Sequence, residues 1–250
     1  MSKRLATAVL WGLVLLPASA GARPVVRTFD LAAGKEEFVR AFVKAAGSDD
    51  PSVATAELLS SNEVLITAIK PGRALLLLIG EGSVDAVRLR VAPPGGKPTE
   101  VHATEEQREA ARKACPGLKE EGTAQERTLS ASVPSPACRA ALRTLLDADE
   151  YSTQRLELSF APEALLDQLA QIRAALKAAG LGSVQVSYTG MAAVLTGKVT
   201  EAQRLEVMKV LYAQSVGKVL FDDQLELLPE PKSAASAEPS PAPDAGSKRW

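Results

Sequence analysis

Histidine is nearly absent: the 250 residues hold one, His102. A Ser-His-Asp or Cys-His centre would have to use it. It lies beside a Pro/Gly-rich stretch, where a solvated side chain is the plainer reading. Cysteine is almost as scarce, with only Cys115 and Cys138. These three residues fall short of a structural zinc set, and no CxxC supports redox chemistry. The acidic pairs Asp49, Asp50 and Asp222, Asp223 lack EF-hand spacing and fit turn solvation. The Gly-x-Gly triplets at 80–82 and 180–182 lack the rest of a dinucleotide fingerprint. No cofactor, metal or catalytic residue is therefore expected. Excess positive charge is missing too. The formal net charge is −1, so nucleic acid is not an expected partner. Aromatic residues make up 4%, and no apolar run reaches the ~18 residues that would mark a membrane span.

What is present starts with a targeting segment. Lys3 and Arg4 precede an apolar stretch at 5–16, and small residues at 18–20 or 20–22 offer cleavage sites. The expectation is a signal peptide over 1–22 and a periplasmic mature protein. Loss of Lys3 and Arg4 would move the net charge from −1 to −3. Export permits a disulfide. A Cys115–Cys138 bridge would close a loop of about 24 residues, worth roughly 3 kcal/mol in the chain-entropy view. The alternative is two separate buried thiols. At the other end, 229–250 is rich in Pro, Ala and Ser and has no apolar face, so a disordered tail is expected.

The stretch 49–91 organises the first part. An acidic Pro turn leads to an alternation in which Val64, Ile66 and Ala68 share a face. A Lys-Pro-Gly turn follows, then the apolar run 75–79, a Gly turn and a second alternation. There Val87, Leu89 and Val91 face inward, and Arg88 and Arg90 face out. Period-two alternation predicts a half-buried antiparallel sheet. The run at 75–79 lacks alternation, as a strand covered on both faces would. A first strand is expected over 23–31. Residues 36–46 stay open: Phe38, Phe42 and Ala45 fit a helix, whereas Phe38, Arg40 and Phe42 fit a strand. The segment PPGGKP at 93–98 reads as a linker.

The second part mixes helices and strands. Thr104 and Gln107 form a capping-box pattern for a helix over 104–114. A strand is predicted at 126–133. Ser135 and Pro136 supply an N-cap and an N1 proline for the next helix, striped by Cys138, Ala141, Leu142, Leu145 and Leu146. Leu156, Leu158 and Phe160 face inward from a strand at 154–160. A helix over 162–179 buries Leu165, Leu169, Ile172 and Leu176, with Gly180 and Leu181 closing it. Strands at 183–188 and 192–198 flank Gly190. Thr200 and Gln203 cap a helix with a face of Leu205, Met208, Leu211 and Tyr212. A last strand over 218–228 carries a candidate break at Asp222 and Asp223.

Two resemblances follow from these motifs. Asp50-Pro51, Val53-Ala54, the run from Ser61-Asn62-Glu63 to Ile66, and Lys70-Pro71-Gly72 resemble the N-terminal domain of the pilus-formation secretins. That likeness spans 26–91, favours strand for 36–46, and carries no pore with it. Val194 to Val199, with Gly197 inside, and Val219-Leu220 are similar to the BON module of bacterial periplasmic proteins. The expected class is α+β. A small antiparallel β-rich domain (23–92) and a linker (93–100) would precede an α/β domain (101–228). That domain would hold a BON-like helix-strand-strand-helix-strand unit at 161–228. Pro51, Asn62, Pro71, Gly72, Gly190 and Gly197 are the expected structural turn positions. The implied role is non-catalytic assembly in support of a pilus or secretin-type channel, through sheet-edge contacts. Partners would be secretin or other envelope subunits, with homo-oligomers and only indirect membrane association. The alternative is a BON-type protein of envelope stress or lipid surfaces.

Overall fold

The computed structural model describes residues 25–123, 127–217 and 219–229. The expected signal segment and all but the first residue of the expected tail lie outside them. The class is α+β. The first part runs β1 (Arg27–Ala32), β2 (Glu36–Arg40), β3 (Ala45–Ser48), β4 (Ala54–Ser60), β5 (Glu63–Ala68), β6 (Gly72–Ile79) and β7 (Ser83–Ala92). The open segment 36–46 is thus extended: β2, an irregular connection, then the start of β3.

The second part runs α1 (Glu105–Ala114), β8 (Lys119–Gly122), β9 (Arg127–Val133), α2 (Pro136–Leu146), the single turn α3 (Asp149–Ser152) and β10 (Arg155–Phe160). It ends with α4 (Pro162–Ala178), β11 (Gln185–Thr189), β12 (Ala192–Val199), α5 (Glu201–Gln214) and β13 (Val219–Leu227). The helix starts follow their sequence signals. Thr104 and Thr200 each close a reciprocal capping box, with Gln107 and Gln203. Ser135 accepts from the Cys138 amide with Pro136 in the first turn. Helix α4 ends on a Schellman pair: the Leu181 amide donates to Leu176 O at 2.8 Å and the Gly180 amide to Lys177 O at 3.1 Å.

Seven strands form the central sheet in the order β11-β12-β13-β7-β6-β3, with β1 parallel to β7. The linker at 93–100 therefore divides the sequence but not the sheet. Val219 pairs antiparallel with Val84, and Leu220 with Ser83, so the last strand joins the first part. Strand β13 runs unbroken through Asp222 and Asp223, because the Arg204 guanidinium of α5 holds the Asp223 carboxylate at 2.7 Å.

Strand β6 shows why the sheet sits in the middle. Leu77 and Ile79 face a core built with α4 and α5, through Ile172, Leu176, Met208 and Leu211. Leu76 and Leu78 face the opposite core, closed by Val39, Val64 and Ile66. Those three belong to a separate antiparallel sheet in the order β2-β5-β4. The molecule thus stacks a small sheet, the central sheet and a helical layer. Each of the four buried side chains contributes roughly 2 kcal/mol of burial. A third core sits at one end, where α1 and α2 cover the sheet β10-β9-β8 through Leu129, Leu142, Leu145 and Tyr151. Cys115, at the end of α1, is bridged to Cys138 of α2.

Candidate functional site

Two features could engage other molecules: a cleft where the parts meet, and the edges of the sheets. The cleft grows from a correction. The strand alternation predicts Arg88 and Arg90 facing solvent. Arg88 is instead 3% exposed, because β7 turns that face toward the α2–α3 corner. Asp149 Oδ1 accepts from Arg88 Nη1 and Arg73 Nη2, each at 3.1 Å, and Oδ2 accepts from the Val101 amide at 2.9 Å. Arg90 binds Asp30 with two short contacts, 2.7 and 2.9 Å, and reaches Glu100 at 3.1 Å. Burial pushes the Asp149 carboxyl up, but the Val101 amide and the Arg73 and Arg88 cations outweigh it and hold it below the ordinary carboxylate value. Burial, with Arg73 beside it, pulls Arg88 down against Asp147 and Asp149.

Beside this junction, a cleft of about 520 Å³ opens between β6, β7, α2 and the end of α5. Leu75, Leu77, Leu146 and Val216 supply apolar wall, and Asp49, Arg143, Lys209 and Tyr212 supply polar groups. Internal partners take these charges. Asp49 accepts from the Leu75 amide at 2.7 Å, and burial raises its carboxyl despite that bond. Lys209 pairs with Glu206 at 2.6 Å. Arg143 donates to the Ala213 carbonyl and to Gln214 Oε1. Burial raises the Tyr212 hydroxyl, so it stays protonated. His102 is elsewhere, between Glu100 and Glu150 at 3.4 and 3.3 Å. Among the described residues no group of three or more His, Cys, Asp or Glu is placed to hold a metal ion.

The sheet edges differ from one another. At β11, Arg173 of α4 donates to the Val186 carbonyl from Nε at 3.1 Å and Nη2 at 2.7 Å, occupying part of that edge. At β8 every residue is exposed, and the sequence KEEG lines the edge with charge, which discourages strand addition. At β2 the edge is open. The Ala41 amide donates to Asn62 O at 3.1 Å, and the Ala68 amide to Lys35 O at 2.9 Å. Those bonds fix the parity: odd-numbered residues of β2 bond to β5. The N–H and C=O groups of Glu36, Phe38 and Arg40 point away from the sheet. Phe38 is 56% exposed, and Phe42, just beyond the strand, is 88% exposed.

The predicted turn residues surround these elements. Pro51 lies in the β3–β4 turn, where Asp50 Oδ1 accepts from the Ser52 amide at 3.0 Å. Asn62 sits in the β4–β5 turn, and its Oδ1 accepts from Ser60 Oγ at 2.8 Å. Pro71 precedes Gly72, where a Cβ would meet Val53 Cγ2 at 3.0 Å. Gly190 opens the two-residue β11–β12 loop with φ 60°. Gly197 has φ 134°, and a Cβ there would lie 2.9 Å from the Ser183 carbonyl oxygen. None of these turns converges on the cleft. Sequence reasoning misses the ionic junction because its partners are some sixty positions apart, with Arg88 to Asp149 spanning 61. A signal does exist: two arginines on one strand face need acids if that face is covered.

No family model matches this chain, and no curated protein matches its sequence. Neither the secretin nor the BON resemblance gains support there. Two solved structures show partial likeness. One is the C-terminal domain of CdsD, described as the structural protein of the type III secretion system of Chlamydia trachomatis. It is 19% identical over 50% of this chain and 65% of its own, with a TM-score of 0.26. The other is domains 4 and 5 of the S-layer protein SbsC, 13% identical over 26% of this chain and 47% of its own, with a TM-score of 0.24. The chain thus spans less than two thirds of either. Likeness at this level sets neither fold nor function.

Proposed function

We propose that this chain is a non-catalytic periplasmic assembly protein that binds other envelope proteins by strand addition at β2. The channel or pilus it would serve follows from the secretin-like motif alone. One observation carries the reading: three residues of β2 present unpaired backbone groups beside an exposed Phe38 and Phe42. Buried or covered edges satisfy such groups internally, and an open one offers main-chain bonds to an extended partner. The charged side chains Asp49, Arg143 and Lys209 of the cleft are held by partners within the chain.

The test is site-specific photo-crosslinking from positions 38 and 42 in the intact envelope, with mass-spectrometric identification of what is captured. Capture of an envelope protein subunit, a second copy of this chain included, is the expected result. Capture of lipid only, with pelleting on protein-free liposomes, would replace this reading with the lipid-surface alternative.

A further inference from the structure

The exposed edge has a charge pattern of its own. Strand β2 reads EEFVR, and its outward backbone groups belong to Glu36, Phe38 and Arg40. Their side chains share one face, opposite the buried Val39. Neither Glu36 nor Arg40 has an ion-pair partner among the described residues. No other described element lies across this edge.

We infer that β2 pairs antiparallel with β2 of a second copy of this chain, about a two-fold axis through Phe38. The inference rests on the edge-docking reading above and names the partner. An isologous pairing must place one residue opposite itself. If Glu37 sits on the axis, like charges oppose each other and Glu36 faces Phe38. If Val39 does, Arg40 faces Phe38. Only with Phe38 on the axis does Glu36 lie across from Arg40, twice by symmetry, with the two phenyl rings between them. The same register engages the outward N–H and C=O groups of all three residues. Opposite charges and aromatic pairs directly across a ladder are the favourable combinations, and like charges the unfavourable ones. A seam this short gives a dimer that depends on concentration.

The experiment is sedimentation of the mature chain from micromolar to near-millimolar loading. The wild type is expected to dimerise. Glu36→Arg and Arg40→Glu each set like charges face to face. Each should weaken the dimer about ten-fold or more. Mixing these two variants should produce a heterodimer. One then carries positive charge at both positions and the other negative charge at both, so opposite signs meet at each end of the seam. The double variant should regain self-association. Both positions are exposed, so melting curves should overlay the wild type's. A monomer at every loading, a dimer indifferent to the reversals, or a mixture that fails to associate would overturn the pairing. If the chain is monomeric yet position 38 captures a different envelope protein, only the self-pairing falls. If it is monomeric and captures no protein, the edge-docking reading falls with it.

Discussion

Asp149 is the residue on which the junction turns. Its carboxylate faces Arg73, Arg88 and Arg90 and also accepts from the Val101 amide. Removing one partner of a buried pair leaves the other charged and desolvated. Asp149→Ala should cost about 3 kcal/mol in chemical denaturation. Asp147→Ala, whose side chain is 65% exposed, should cost under ~1 kcal/mol. The pH dependence has a fixed sign. The folded carboxyl of Asp149 lies below its unfolded value of ~3.9, so its contribution is complete above that value. It is lost as pH falls through the folded value. Acid melts of the wild type should therefore steepen below about pH 4, and those of Asp149→Asn should steepen less.

At the scale of elements, the disulfide and the strand patterns behave differently. The bridge ties the end of α1 to the first turn of α2, over a separation of 23 residues. Cys115→Ser with Cys138→Ser should lose roughly 3 kcal/mol, read as a lower denaturation midpoint, with α1 loosening first in hydrogen exchange. Strand β5 is legible in the sequence because Val64, Ile66 and Ala68 alternate cleanly into a core. The capping boxes are legible because a cap is local chemistry. Strand β8 is not, since KEEG buries nothing and exists only through its ladder with β9. Nor is α3, a single turn whose Tyr151 is buried by surrounding elements. Strand β3 (AAGS) begins inside the segment that the sequence leaves open between helix and strand. Its ladder with β6 makes it a strand, and Gly47 leaves room for Leu205 of α5, which would lie 2.9 Å from a Cβ there. The open edge of β2 is the least visible feature. It follows from register, and register depends on where β5 falls.

For the whole molecule, a linker in sequence is not a seam in space. The last strand enters the sheet of the first part, and Arg73 and Arg88 anchor that part to the α2–α3 corner. A fragment of residues 25–92 would expose Leu77, Ile79, Val84 and Ala86, which now face α4 and α5. It should lose cooperative melting and aggregate, while the full chain unfolds in one transition through both parts. Two independent transitions in the full chain would contradict this. The stacked layers form a support that leaves the outer edge of β2 unpaired among the described residues. Residue-resolved hydrogen exchange along β2 tests that most directly. In dilute protein, the amides of Glu37, Val39 and Ala41 should be protected and those of Glu36, Phe38 and Arg40 should exchange freely, with protection gained on concentration or on adding a captured partner. Equal protection at both parities in the dilute protein would contradict it.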